Sequence, residues 1–117
     1  MSYPEPYLQF VEHFNARDYH GCIAPLEELW FAERDDFHKA LIRMCVGLNQ
    51  IDLGLESGPR FLFSTARDLL APYGKCHNGL DLVALRGFLE QSEAVLGEPV
   101  PRSAPPYRID LGGANDD

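Results

Sequence analysis

Residues 14–30, FNARDYHGCIAPLEELW, and residues 37–55, FHKALIRMCVGLNQIDLGL, decide the fold. In the second run Phe37, Leu41, Met44, Leu48, Ile51 and Leu55 recur at intervals of three or four, the spacing of one face of an α-helix. Asp35 or Asp36 puts acid at the positive end of its dipole. This reads as the central helix. Beside its stripe, Ala40, Gly47 and Gly54 repeat every seventh residue, which would let a neighbouring helix approach closely. Glycine costs a helix ~1 kcal/mol relative to Ala, so close packing is the reason to keep two of them. In the first run Asp18 is placed to cap a helix that turns Tyr19, Ile23, Leu26 and Trp30 inward. Pro25 removes the bond to the Gly21 carbonyl, at ~3 kcal/mol in a regular helix, and predicts a kink or a locally opened turn.

Upstream, Tyr7, Phe10, Val11 and Phe14 predict an amphipathic helix over about residues 4–16, with Pro4 and Pro6 in its first turn and a capping box between Ser2 and Glu5. Downstream, Glu56 to Pro59 read as a turn, with Ser57 or Gly58 as cap and Pro59 at the first helical position. The helix that follows runs to about Tyr73, with Leu62, Ala66, Leu69 and Tyr73 inward, until Pro72, Gly74 and the polar run 75–79 end it. Asp81 caps a fifth helix with Leu82, Leu85, Phe88, Leu89 and Leu96 inward. Beyond Gly97, PVPRSAPPYRIDL is proline-rich and extended, lying back over the bundle through Tyr107, Ile109 and Leu111, and GGANDD is expected to be disordered. The expected fold is therefore all-α: a single-domain bundle of about five helices over residues 1–97, with an extended C-terminal tail over 98–117.

A chain of 117 residues buries about 65% of its unfolded surface and needs neither metal nor disulfide to fold. No apolar run reaches the ~20 residues of a membrane span, and MSYPEPYLQF lacks the pattern of a signal peptide, so a cytoplasmic location and no membrane partner are expected. The formal charge of −8 disfavours nucleic acid, whose binding rests on Lys and Arg. Cys22, Cys45 and Cys76 are odd in number, without CxxC spacing, and read as reduced thiols.

The order of FNARDYHGCIAPLEELW, FHKALIRMCVGLNQIDLGLESGPRFL, NGLDLVALRGFLE and PPYRIDL resembles the bacterial and archaeal family called domain of unknown function 309, over roughly residues 7–111. The resemblance implies a small all-helical protein, of a family with no established activity. Its signature, His-Glu-x-x-Glu-x-x-Trp with Phe-Asn upstream, falls here on Phe14, Asn15, Glu27 and Trp30, while Ile23 and Ala24 replace the histidine and the first glutamate. If the signature is a metal or acid–base site, those replacements remove it, because only Glu27 remains of three potential ligands.

A candidate pocket consists of Glu27, Trp30, His38, Arg43 and Asn49, between the second and third helices. The preferred reading of its charges is structural: Glu27 paired with Arg43, locking the two helices together. The histidines His13, His20, His38 and His77 share no i, i+4 spacing, and no nucleophile motif surrounds a cysteine. Gly58-Pro59-Arg60 could hold an anion at a helix start, but an ordinary turn explains it better. No metal or cofactor is implied. The chain reads as a non-enzymatic module that binds a protein or small-molecule partner, or itself as a homodimer. The alternative is a small metal-dependent or hydrolase-like enzyme with its site between helices two and three.

Overall fold

The computed structural model describes residues 3–111. Two expectations, the Ser2 capping box and disorder of GGANDD, lie outside the described residues. Five helices follow in order: α1 (Glu5–Asn15), α2 (Ile23–Glu33), α3 (Asp36–Asp52), α4 (Ser57–Leu70) and α5 (Leu82–Val95). Short 3₁₀ turns, His20–Cys22 and Ala71–Tyr73, precede α2 and follow α4. A two-stranded antiparallel hairpin, β1 (Cys76–His77) and β2 (Leu80–Asp81), leads into α5. The central helix is α3, packed against α2 on one side and α4 on the other, while α1 joins α2 and α5 joins α4.

On α3 the expected stripe holds from Phe37 to Ile51, all fully or almost fully buried. Leu55 is the exception, since the helix ends at Asp52 and Leu55 is exposed. Gly47 is a close-packing glycine: a Cβ built there would lie 2.7 Å from Cε1 of Phe63 on α4. Gly54 is not. It stands past the helix end with φ +81°, nothing near its missing side chain, and its N–H bonded to Ile51 O at 2.9 Å. Its freedom serves a turn.

The structure rotates α4 by one residue from the expected face. Pro59, Phe63, Ala66 and Leu70 point inward, while Leu62 and Leu69 are only half-buried. The runs Phe61-Leu62-Phe63 and Leu69-Leu70 fit either phase, and the Phe63 ring, seated in the notch above Gly47, selects one. Pro59 is at the third helical position, where the N–H it lacks would have no intrahelical partner. Arg67 ties α4 to α5 through Glu93 at 2.8 Å and Glu90 at 3.6 Å.

The expected second helix divides. Asp18 Oδ1 accepts the Gly21 N–H at 3.0 Å, capping the 3₁₀ turn, and a new α-helix begins at Ile23. Pro25 then falls in the first turn of α2, where it displaces no helical bond. The 3₁₀ segment winds at 3.0 residues per turn in place of 3.6, so the phase slips and Tyr19, Cys22 and Leu26 become the buried positions. Ile23 and Trp30 are left half-buried, which corrects the inward reading of both.

The polar run 75–79 forms the hairpin turn. Asn78 (φ 48°) and Gly79 (φ 78°) both adopt positive φ, as a two-residue turn of this hand requires. Tyr7 donates its hydroxyl to Asn78 O at 2.8 Å, fixing the turn to α1. Asp81 caps α5 as expected, accepting the Ala84 N–H at 3.0 Å. The tail returns over the bundle, burying Ala104 and Ile109 and stacking Tyr107 on Phe88 at 4.8 Å.

Candidate functional site

The structure sets two of the five candidate residues, His38 and Asn49, well apart along α3. His38, 5% exposed, sits in the first turn of α3 with Nδ1 2.7 Å from Asp35 Oδ1, the tyrosine ring of Tyr7 edge-on at 6.3 Å and Phe37 at 5.3 Å. Asn49 lies on the same helix roughly three turns, about 16 Å, further on. Glu27 is exposed, and Arg43 is half-buried. Among the ion pairs of the described residues there is none between them, so the expected lock between α2 and α3 is absent. The cause is the phase slip before α2, which turns Glu27 outward.

Trp30 meets Phe31 at 5.4 Å, and the Arg34 guanidinium lies over both rings, 4.6 Å from Trp30 and 5.3 Å from Phe31. Arg34 ends α2 in the left-handed conformation (φ 55°), its N–H bonded to Trp30 O. Phe31 is 59% exposed. Ala24, Glu27, Glu28 and Phe31 are spaced three or four apart and form one continuous outward strip, all exposed. Leu26, on the opposite side, is the one fully buried residue of the helix.

The Phe-Asn pair of the signature has a structural task. Phe14 is fully buried against Tyr19, Phe88 and Tyr107. Asn15 holds the tail by a reciprocal pair of bonds: its Nδ2 donates to Ile109 O at 3.0 Å, and its Oδ1 accepts the Ile109 N–H at 2.8 Å. Arg17 adds a bond to Ala104 O at 2.7 Å. These contacts span the chain from α1 to the tail, and no local spacing announces them.

Sequence reasoning also missed the aromatic end of the bundle. His77, which the spacing of the histidines left without a role, packs on Phe37 at 4.6 Å and Tyr73 at 4.8 Å, and the Tyr73 hydroxyl accepts the Phe37 N–H at 3.1 Å. The Asn-Gly dipeptide that places His77 was the available signal. Burial pushes the Tyr7 hydroxyl well above the ordinary tyrosine range, helped by Tyr3. Cys22 and Cys45 are free and fully buried, and burial together with the neighbouring Cys22 pushes the Cys45 thiol up, the opposite of an activated nucleophile.

At the Gly58-Pro59-Arg60 turn, Arg60 is taken by Glu56 at 3.6 Å. Beside that turn an open groove of about 710 Å³ includes Leu55 and the exposed Phe61. A tighter cleft of about 220 Å³ lies between the tail and α5, bounded by Asp81, Leu85, Tyr107 and Ile109. Among the described residues no three of His, Cys, Asp and Glu stand together as metal ligands, and no helix is long and apolar enough to cross a membrane.

No curated protein matches the chain, and no solved structure does. A family model matches residues 7–61, from Tyr7 in α1 to Phe61 in α4, and stops short of NGLDLVALRGFLE and PPYRIDL. Over that stretch the chain resembles the family described as Domain of unknown function (DUF309).

Proposed function

We propose that the chain is a non-enzymatic binding module whose contact surface is the outward face of α2. One observation carries this reading. The helix IAPLEELWFAE is apolar around most of its circumference, yet only Leu26 is fully buried. A helix of that composition is ordinarily enclosed on all sides, and covering a Phe side chain is worth ~1.5–3 kcal/mol relative to exposing it. Exposed Phe31 beside half-buried Trp30 is the kind of aromatic anchor from which binding hot spots are built. The test is comparative capture from the native host. A partner retained by the unaltered chain should be lost with Phe31→Ser and kept with Phe61→Ser, an equally exposed position on α4. Capture that ignores Phe31 would contradict the reading.

A second reading, a hydrolase-like enzyme at the α2–α3 junction, has the Asp35–His38 contact in its favour. A carboxylate on Nδ1 orients an imidazole so that Nε2 is the basic nitrogen. If His38 is an acid–base group, His38→Gln abolishes turnover of generic ester and phosphoester substrates by the purified chain. If no turnover exists to abolish, this second reading fails.

A further inference from the structure

We infer that the partner of the α2 face is a basic amphipathic helix, one that sets Lys or Arg beside an apolar stripe. This rests on the reading of α2 as a contact surface and adds the chemistry of its occupant. The outward strip is not simply apolar. Glu27 and Glu28 stand one turn before Phe31 on the same face, both exposed, and neither takes part in an ion pair. Against these two carboxylates the helix end brings the single cation of Arg34, over the Trp30 and Phe31 rings, which leaves the strip net negative on a chain of charge −8.

The aromatic pair supplies the second observation. Trp30 and Phe31 already receive a cation from their own chain, with the Arg34 guanidinium over both rings at 4.6 and 5.3 Å. Stacking of this kind draws on the negative face of the aromatic ring and strengthens when water is excluded. Arg34 holds the cation's place over these rings, so a partner's Lys or Arg is met by the Glu27 and Glu28 carboxylates one turn away, while the exposed edge of Phe31 takes apolar contact. An apolar stripe on the partner would cover Phe31 and Ala24, while its basic residues meet Glu27 and Glu28. A second copy of the chain fits less well. Across a twofold axis the interface would gather four carboxylates, Glu27 and Glu28 of each copy, against only the two Arg34 cations of this face.

Trp30 is the only tryptophan, so its emission reports on this face alone. The experiment titrates the full chain with a synthetic amphipathic peptide of leucine and lysine, and separately with its leucine–glutamate counterpart. The lysine peptide is expected to give a saturable emission change, weakened about tenfold or more by Glu27→Gln with Glu28→Gln and by a rise in salt. The remote pair Asp68→Asn with Glu98→Gln removes as much charge and should alter affinity by less than about twofold, separating a docking site from bulk attraction. The inference is overturned by equal loss in the two double variants, by equal binding of the glutamate peptide, or by no saturable change. It is also overturned if emission tracks protein concentration and sedimentation shows a dimer, which makes a second copy the occupant. Binding of the glutamate peptide that still requires Phe31 would refute the basic partner and leave the contact surface standing. Neither peptide binding, together with capture that ignores Phe31, would refute both.

Discussion

Replacing Asn15 by Ala removes both bonds that hold Ile109. Each intramolecular hydrogen bond contributes ~0.5–1.5 kcal/mol net, so the pair accounts for about 2 kcal/mol. Ile109 is 4% exposed, and its peptide group, stripped of both partners, adds a desolvation cost wherever water cannot reach it. A loss of 2 kcal/mol lowers the melting temperature of a domain this size by roughly 8 °C. Release of the tail should also uncover the Phe88–Tyr107 stack and speed tryptic cleavage after Arg108, which is exposed. Asn15→Asp is the sharper variant. It keeps the acceptor for the Ile109 N–H but sets a carboxylate oxygen against Ile109 O, so it should cost at least as much near neutral pH and recover part of the loss as the carboxyl protonates. Thermal melts and timed proteolysis check both. A change below about 0.5 kcal/mol in Asn15→Ala, with cleavage at Arg108 unaltered, would refute the clamp.

Gly47→Ala should destabilise by about 1 kcal/mol, because overpacking against the enclosed Phe63 ring, ~1–3 kcal/mol, outweighs the ~1 kcal/mol gained in helix propensity. In a Phe63→Leu background the same change should be neutral or favourable, and a double-mutant cycle in urea reads the difference. The Gly21 N–H and then His13 hold the Asp18 carboxyl below its ordinary range. A depressed folded-state value gives stability that is present above the unfolded value and lost as pH falls through the folded one, so acid melts of Asp18→Asn should show a shallower fall than the parent. Tyr7 is the converse. Its raised folded-state value gives stability that is complete below the unfolded value of ~10 and is lost as pH climbs beyond it, and Tyr7→Phe should flatten that alkaline decline while costing ~1 kcal/mol for the bond to Asn78 O. Urea midpoints at about pH 8 and about pH 11 measure it.

The parts of the fold legible in the sequence are those where one period runs unbroken. The stripes of α1, α3 and α5, the Asp81 cap and the docking of Tyr107, Ile109 and Leu111 all follow from local spacing or composition. What spacing cannot register is a change of winding. Three residues of 3₁₀ helix at His20–Cys22 exchange Ile23 for Cys22 in the core, and the Trp30 and Glu27 readings fail with it. The face of α4 was undetermined for a different reason: adjacent apolar residues satisfy two phases, and the notch over Gly47, which chooses between them, belongs to another helix. The hairpin was available in Asn78-Gly79 and was obscured by the polar residues around it. Of the candidate site, Glu27 is exposed and Trp30 half-buried on the flank of α2, while the Asn15 clamp and the His77 packing join residues too distant in the chain for any pattern to connect.

Helix α2 divides into one face that belongs to the core and one that does not. Urea unfolding of Leu26→Ala and Phe31→Ser, two changes on the same helix, tests it most directly. Leu26→Ala should lose about 2–5 kcal/mol as a core truncation, and Phe31→Ser should stay within about 1 kcal/mol of the parent. If Phe31→Ser loses as much as Leu26→Ala, the outward face is part of what holds the chain together, and it is not free to receive a partner.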